Sequence, residues 1–119
     1  PQLGTAHGLY KASPVLLFDR VAELGKLSPV PVVLHGGTGL TDEDFRRFIS
    51  AGVAKVNLST TLKLTYMRAA QAHIAAAEAK GKWEPVKMFD DIAAAVKATV
   101  VEHMQQLGSA GAAKAAVSA

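Results

Sequence analysis

The sequence predicts an α/β fold built from parallel strand–helix units. A compact, β-branched apolar run at residues 30–34 leads directly into a glycine-rich stretch at 35–39. After an amphipathic segment, a second strand-like run at 53–58 leads into polar residues that open another helix. Strands and helices that alternate through short connections are typical of parallel βα units, which occur both in doubly wound sheets and in (β/α)₈ barrels.

Periodicity and capping residues define the individual elements. Leu17, Val21 and Leu24 recur at helical spacing. Thr41 followed by three acids is a helix-opening sequence, and Gly52 is a typical helix end. In order, we predict a helix at 17–26, a strand at 30–34, a helix from Thr41 to Gly52, a strand at 53–58, and helices at 60–80 and 91–107. The side chains expected to face inward are Leu62, Tyr66, Ala69, Ala70 and Ile74 in the fifth element and Ile92, Val96, Val100, Met104 and Leu107 in the sixth.

The organisation along the chain is that of one domain, or part of one. We expect the last βα units at 1–80, a C-terminal helical extension at 81–107 and a flexible tail of alanine, glycine and serine at 108–119. The glycine-flanked His7 follows the start at once, with no room for a strand before it. We therefore expect the 119-residue chain to be part of something longer.

Composition limits the functions that the chain can have. Half of the 119 residues are apolar, no apolar run approaches the roughly 20 residues that cross a bilayer, and no signal peptide is recognisable. A net charge of +3 with scattered Lys and Arg lacks the basic stripe of a nucleic-acid binder. Without cysteine, a metal must be held by histidine or oxygen ligands. We expect a cytoplasmic protein without nucleic-acid or membrane partners that binds a small anion.

Three segments could carry chemistry. Small residues around His7 allow a ligand to approach the backbone, and Lys11 could meet a negative charge, although a hydrogen bond of His7 within a turn is the commoner role. His35 stands at a strand end, where α/β folds place their ligands. The glycines that follow, with Thr38, could bind a phosphate, or could only be needed for a tight turn.

The third segment lies at the end of the second strand. Side-chain alternation puts Val53, Lys55 and Asn57 on one face, so Asn57 could face a pocket. Ser59 and Thr60 could bind a phosphate or could simply cap the next helix.

The remaining titratable candidates have simpler explanations. His73 and His103 lie inside predicted helices among core positions, so we expect structural roles for both. A Schiff base at Lys55 has no obvious activating neighbour, and a salt bridge is the better expectation.

Three blocks in order resemble the class II fructose-1,6-bisphosphate and tagatose-1,6-bisphosphate aldolases, and the resemblance covers nearly the whole chain. They are Gly4-Thr5-Ala6-His7-Gly8-Leu9-Tyr10-Lys11, Leu34-His35-Gly36-Gly37-Thr38-Gly39-Leu40 and Ala54-Lys55-Val56-Asn57-Leu58-Ser59-Thr60. The resemblance implies a (β/α)₈ (TIM) barrel of which this chain supplies only the last strands and helices. It also implies an aldehyde-lyase of carbohydrate metabolism and glycolysis.

The same resemblance implies a role for each residue. His7 and His35 would bind Zn²⁺ together with a third histidine from an earlier strand, and a monovalent cation, Na⁺ or K⁺, would lie by the glycine loops. Asn57 would contact the reacting end of dihydroxyacetone phosphate. The residues implied to bind the sugar phosphate are Gly8, Lys11, Gly36, Gly37, Thr38, Asn57, Leu58, Ser59 and Thr60.

The catalytic acids of the family precede Gly4, so none is expected in this chain. The isolated 119 residues should therefore be inactive. A non-catalytic phosphate-binding module or truncated pseudoenzyme is the alternative, and a phosphate-binding barrel without metal is a third hypothesis. The apolar stripes of the last helices exceed what a barrel exterior needs, which predicts a homo-oligomer.

Overall fold

The fold was examined in a computed structural model, which describes residues 3–5, 8 and 14–117. The described elements are α1 (Phe18–Leu27), β1 (Val32–His35), α2 (Asp42–Ser50), β2 (Val53–Asn57), α3 (Thr60–Lys80), α4 (Pro85–Gln106) and α5 (Ala112–Val117). The chain forms two compact units, Pro1–Thr60 with Gln106–Ser109 and Thr61–Gln105 with Ala110–Ala119. The alternation of strand and helix predicted from the sequence is confirmed.

The first unit is built around a parallel pair of strands, β1 and β2. β1 begins two residues later than predicted, because Pro31 has no N–H to donate to a ladder, and it extends through His35. The register steps from Val32↔Val53 to Val33↔Lys55 and ends at His35↔Asn57. This irregularity alters the predicted alternation: Val53 turns into the core, while Lys55 is exposed on the opposite face with His35 and Asn57.

Helices α1 and α2 cover the other face of the strand pair, where the core lies. Leu34 is fully buried there, together with Val21 of α1 and Phe45 and Phe48 of α2. The ring of Phe18 stacks on Phe48 at a centroid distance of 4.5 Å and a tilt of 45°. The remaining members of the buried cluster are Leu3, Leu40 and Val53. The apolar stripes of the first two predicted helices thus bury the strand pair on one face only.

A capping box fixes the start of α2. The Thr41 hydroxyl accepts a hydrogen bond from the Asp44 backbone N–H at 3.1 Å, and the Asp44 carboxylate accepts one from the Thr41 N–H at 2.9 Å. Two otherwise unsatisfied N–H groups of the helix start are satisfied in this way. The helix ends before Gly52, which has φ 111°. Both ends of α2 were predicted correctly from Thr41 and Gly52.

The second unit contains most of α3 and α4. α3 has the predicted bounds, but α4 begins six residues earlier than predicted, at Pro85, because proline suits the first turn of a helix, where its missing N–H is not needed. His73 Nδ1 lies 2.6 Å from the Asp91 carboxylate, and the hydroxyls of Thr65 and Thr99 are 3.2 Å apart. These polar contacts join the two helices.

Burial in the second unit agrees with the predicted inward faces only in part, at Ile92. Ala77 and Ile92 are its buried apolar side chains among the described residues, whereas the predicted inward residues Tyr66 and Ile74 are 44% and 50% exposed. Apolar residues surround α3 without a single stripe, so periodicity could not select one inward face. The predicted inward residues Val100 and Met104 of α4 are exposed as well.

Two further features concern the C-terminal helices. α5 forms at Ala112–Val117, where no helix was predicted, because alanine has the highest intrinsic helix propensity even without a core pattern. Among the described residues, no helix is both long enough and apolar enough to span a membrane.

Candidate functional site

His35 and Asn57 form the centre of the candidate site, at the carboxyl ends of the two parallel strands. They are register partners, and the Asn57 amide nitrogen lies 3.2 Å from His35 Nε2. His35 is exposed and Asn57 is half-buried on the strand face opposite the core. The strand ends thus bring together a histidine and a carboxamide that are 22 residues apart in the sequence.

The glycine-rich loop follows β1 directly. Gly36 and Gly39 have φ values of 77° and 90°, a region that other residues seldom enter. The Leu40 N–H donates to the Gly37 carbonyl at 3.3 Å and closes the turn. Thr38 is buried, with 9% of its surface exposed. The glycines are therefore required by the backbone conformation, which was one of the two explanations open at the sequence level, and a ligand role is compatible with it.

The loop rests on two apolar side chains. A Cβ on Gly37 would lie 3.0 Å from Leu58 Cδ2 and 3.2 Å from the Phe45 ring. Leu58 is half-buried and packs against the core of the first unit. Its side chain therefore lies between the core and the loop at Gly37. The sequence pattern identified Phe45 only as a core residue of α2. Its contact with the loop depends on the tertiary fold, which periodicity does not reveal.

The end of β2 joins the start of α3 within three residues. Ser59 precedes the helix and Thr60 is its first residue, and both are half-buried. The positive end of the α3 dipole and the N–H groups of its first turn lie at this point. Such a helix start is suited to an anion, and Ser59 and Thr60 lie in the same unit as the glycine loop and His35.

The glycine-flanked segment at the start of the chain is described only in part. Gly8 has φ 104°, and the Leu17 N–H donates to the Leu3 carbonyl at 3.2 Å. A Cβ on Gly4 would lie 1.8 Å from the Val15 carbonyl oxygen, so the backbones approach closely there. His7 and Lys11 lie outside the described residues, and their predicted roles stay predictions.

His73, His103 and Lys55, the other candidate side chains, lie outside the strand-end site. His73 makes the contact with Asp91 given above, and His103 is half-buried on α4. The ion pairs found within the described part of the chain are Arg20–Glu23, His73–Asp91 and Lys87–Glu84. The salt bridge expected for Lys55 is not among them: Lys55 lies on the strand face opposite to α1 and α2 and their acids.

Among the described residues at the strand ends, His35 is a nitrogen donor of the kind that binds metals. His35 offers an imidazole at an exposed strand end, and imidazole is a usual ligand of Zn²⁺. Within residues 3–5, 8 and 14–117, no three His, Asp or Glu side chains come together as a complete ligand set. A metal bound by His35 would need donors from outside this described part.

Comparison with known proteins identifies the class of enzyme to which this fold belongs. The fold is similar to that of an aldolase: the chain superimposes on the YdjI aldolase of Escherichia coli K12 with a TM-score of 0.74 and 31% identity, over 90% of this chain and 38% of that one. The family described as class II fructose-bisphosphate aldolase matches residues 1–112. The chain belongs to the class II fructose-bisphosphate aldolase family.

Two curated relatives have similar identity and different names. The fructose-bisphosphate aldolase of Geobacillus stearothermophilus is 36% identical over 111 residues, which are 93% of this chain and 38% of that protein. The 6-phospho-5-dehydro-2-deoxy-D-gluconate aldolase of Shouchella clausii (strain KSM-K16) is 38% identical over 117 residues, 98% of this chain and 39% of that protein. The chain thus spans about two fifths of the length of these relatives.

Proposed function

We propose that this chain is the C-terminal part of a metal-dependent ketose-bisphosphate aldolase and contributes the last strands of its (β/α)₈ barrel. The observation that carries the proposal is the pair His35 and Asn57, side by side at the carboxyl ends of parallel strands and next to a glycine loop. Barrel enzymes build their sites at that end of the strands. Family membership supports the reaction class.

His7 and His35 are the proposed metal ligands, joined by a histidine from another part of the fold. When bound, Zn²⁺ would supply a Lewis acid that polarises the ketone of the substrate. The exposed position of His35 at a strand end, on the face opposite the core, supports this role.

The substrate phosphate is proposed to bind between the glycine loop and the start of α3. Backbone N–H groups of the loop and of Ser59 and Thr60 would hold the anion, with hydroxyls from Thr38, Ser59 and Thr60 and the charge of Lys11. A phosphate held in this way fixes the ketone for reaction. The other proposed contacts are Gly8, Gly36, Gly37 and the backbone of Leu58, with a Na⁺ or K⁺ ion beside the loops.

The proposed reaction is reversible cleavage of a ketose 1,6-bisphosphate to dihydroxyacetone phosphate and glyceraldehyde 3-phosphate. Asn57 would contact the reacting end of the three-carbon ketone. The two relatives above name different phosphorylated substrates at nearly equal identity, so the phosphate end is the common element that this chain would bind.

The proton-transferring acids are expected outside this chain, so the 119 residues alone should bind without catalysing. That expectation leaves a non-catalytic phosphate-binding module or truncated pseudoenzyme as the second candidate. We also propose a homo-oligomer, because large apolar side chains of α4, such as Phe89 and Val101, are more than two fifths exposed. A cytoplasmic location is proposed from the sequence alone.

The test is metal dependence of aldol cleavage in the full-length protein that carries this chain. Exhaustive chelation should abolish cleavage of fructose or tagatose 1,6-bisphosphate, and zinc or cobalt should restore it. Cleavage that survives chelation, and that borohydride traps as a covalent adduct on Lys55, would overturn the proposal. Phosphate binding without any cleavage, in the presence of zinc, would favour the non-catalytic module.

A further inference from the structure

Lys55 carries a positive charge on the face of the strand pair that α1 and α2 leave uncovered. Its side chain is exposed, and its register partner on β1 is Val33, which is 38% exposed. Neither strand contains an Asp or a Glu, and the ion pairs within the described part of the chain do not include Lys55. The strand pair thus gives Lys55 an apolar neighbour and no counter-charge.

In a (β/α)₈ barrel, the strand face that points away from the helices is the interior. Helices α1 and α2 cover the Leu34 face of the strand pair, so the face that carries Lys55 would point into the barrel. The chain spans about two fifths of the length of its relatives, so other parts of the full-length protein would supply the remaining strands. Lys55, which is exposed in this chain, would be enclosed by them.

The strand ladder gives the depth of Lys55 within such a barrel. His35 and Asn57 are the last residues of the two strands, and Lys55 precedes Asn57 by two residues on the same face. At about 3.3 Å per residue, the backbone of Lys55 lies roughly 6–7 Å below the strand-end site. A barrel interior is filled there by layers of packed side chains. Lysine is almost never fully buried without a partner, because an isolated charge loses its hydration.

We propose that Lys55 forms an interior ion pair with an Asp or Glu of a barrel strand outside this chain, in the layer beneath the strand-end site. The proposal rests on the barrel of the proposed function and does not involve its metal. Charge complementarity selects a carboxylate, since an ammonium group beside Val33 in a packed layer needs a charged acceptor to offset its lost hydration. The pair would close the floor of the site. An ammonium group held in this way lacks the free electron pair that a Schiff base requires, so Lys55 would take no part in covalent chemistry.

Amine labelling of the full-length protein without substrate tests whether Lys55 is enclosed. Acetic anhydride should modify Lys55 at least about tenfold more slowly than Lys26, which is exposed at the end of α1 in the same unit. Mass spectrometry measures both sites in one sample. Lys55 modified as fast as Lys26 would overturn the ion pair, and this measurement needs no variant. Protection of Lys55 that appears only when substrate is added would also overturn it, because the counter-charge would then be the substrate phosphate.

Substitution tests whether the partner is a carboxylate. Lys55→Met keeps the length of the side chain but leaves a buried carboxylate unpaired, so the unfolding equilibrium constant in urea should rise on the order of a thousandfold. Lys55→Arg keeps the charge and should retain most of the stability, and Lys26→Met is the matched control that should change little. Neutralising each acid expected on the inward faces of the other strands, by Asp→Asn or Glu→Gln, should identify one that restores stability to Lys55→Met. If none restores it, the ion pair is refuted.

The failure of this ion pair can be told apart from the failure of the proposed function. Freely labelled Lys55 in a protein whose aldol cleavage is lost on chelation and restored by zinc refutes the ion pair alone. Protected Lys55, with one acid that rescues Lys55→Met, in a protein whose cleavage survives chelation refutes the metal-dependent function alone.

Discussion

Leu58 Cδ2 lies 3.0 Å from the position that a Cβ would occupy on Gly37. The same added atom would approach the Phe45 ring to 3.2 Å, so two side chains leave space only for glycine. We expect Gly37→Ala to lower the free energy of unfolding by about 1–3 kcal/mol, the usual cost of overpacking, and to weaken phosphate binding because the loop must shift. Urea denaturation and titration with inorganic phosphate measure the two effects.

Gly25→Ala is the matched control for that substitution. Gly25 lies within α1, and a Cβ there would meet no atom within 4 Å. Alanine should therefore raise stability by about 0.5–1 kcal/mol, because it reduces the backbone freedom of the unfolded chain and suits a helix. Equal stability of Gly37→Ala and the wild type would show that Leu58 and Phe45 do not confine the loop.

The capping box of α2 should contribute measurably to stability. Replacing Thr41 by alanine removes the acceptor for the Asp44 N–H, and we expect a loss of about 1 kcal/mol in the free energy of unfolding. Thr41→Ser keeps the hydroxyl and should retain most of that energy. Thermal denaturation of the two variants checks this, and equal midpoints for them would argue against the cap.

The contact between His73 of α3 and Asp91 of α4 should contribute little. The Asp91 side chain is 64% exposed, so solvent screens its 2.6 Å contact with His73. A double-mutant cycle with His73→Gln and Asp91→Asn should give a coupling energy of about 0.2–1 kcal/mol that decreases in high salt. A coupling energy well above this range, unaffected by salt, would mean that the pair is buried in the full-length protein.

Substitution of the exposed apolar residues of α4 should dissociate the proposed oligomer. Phe89 is 56% exposed and Val101 is 44% exposed. Glutamate at either position should dissociate the oligomer, because a buried unpaired charge is costly at an interface. Lys97→Glu, at another exposed position of α4, is the control. Sedimentation measures the mass, and a monomeric wild type would refute the oligomer.

Helix ends and strand ends could be predicted from the sequence where a few neighbouring residues determine them. Thr41 and Gly52 determine the ends of α2 through hydrogen bonding and backbone freedom, and both are local properties. The strand-end position of His35 is predicted by the β-branched run at 30–34 before it and the glycines after it. The sequence therefore predicts His35 and Asn57 at neighbouring strand ends, where the structure has them as register partners.

Features that depend on the tertiary fold could not be predicted in this way. The register step at Val53 reverses its side chain, and strict alternation has no means of anticipating such a step. The early start of α4 at Pro85 was missed because proline can either end a linker or open a helix. The side-chain contacts of Leu58 and Phe45 with the loop depend on packing between elements distant in sequence.

The most direct test of the central claim is the zinc content and aldol cleavage of His35→Ala in the full-length protein, with His73→Gln as the control. We predict that His35→Ala loses bound zinc and that its cleavage rate falls on the order of a thousandfold, because Lewis-acid stabilisation is worth several kcal/mol. His73→Gln should keep both. A His35→Ala protein with full zinc content and wild-type cleavage would contradict the assignment of His35 as a catalytic metal ligand.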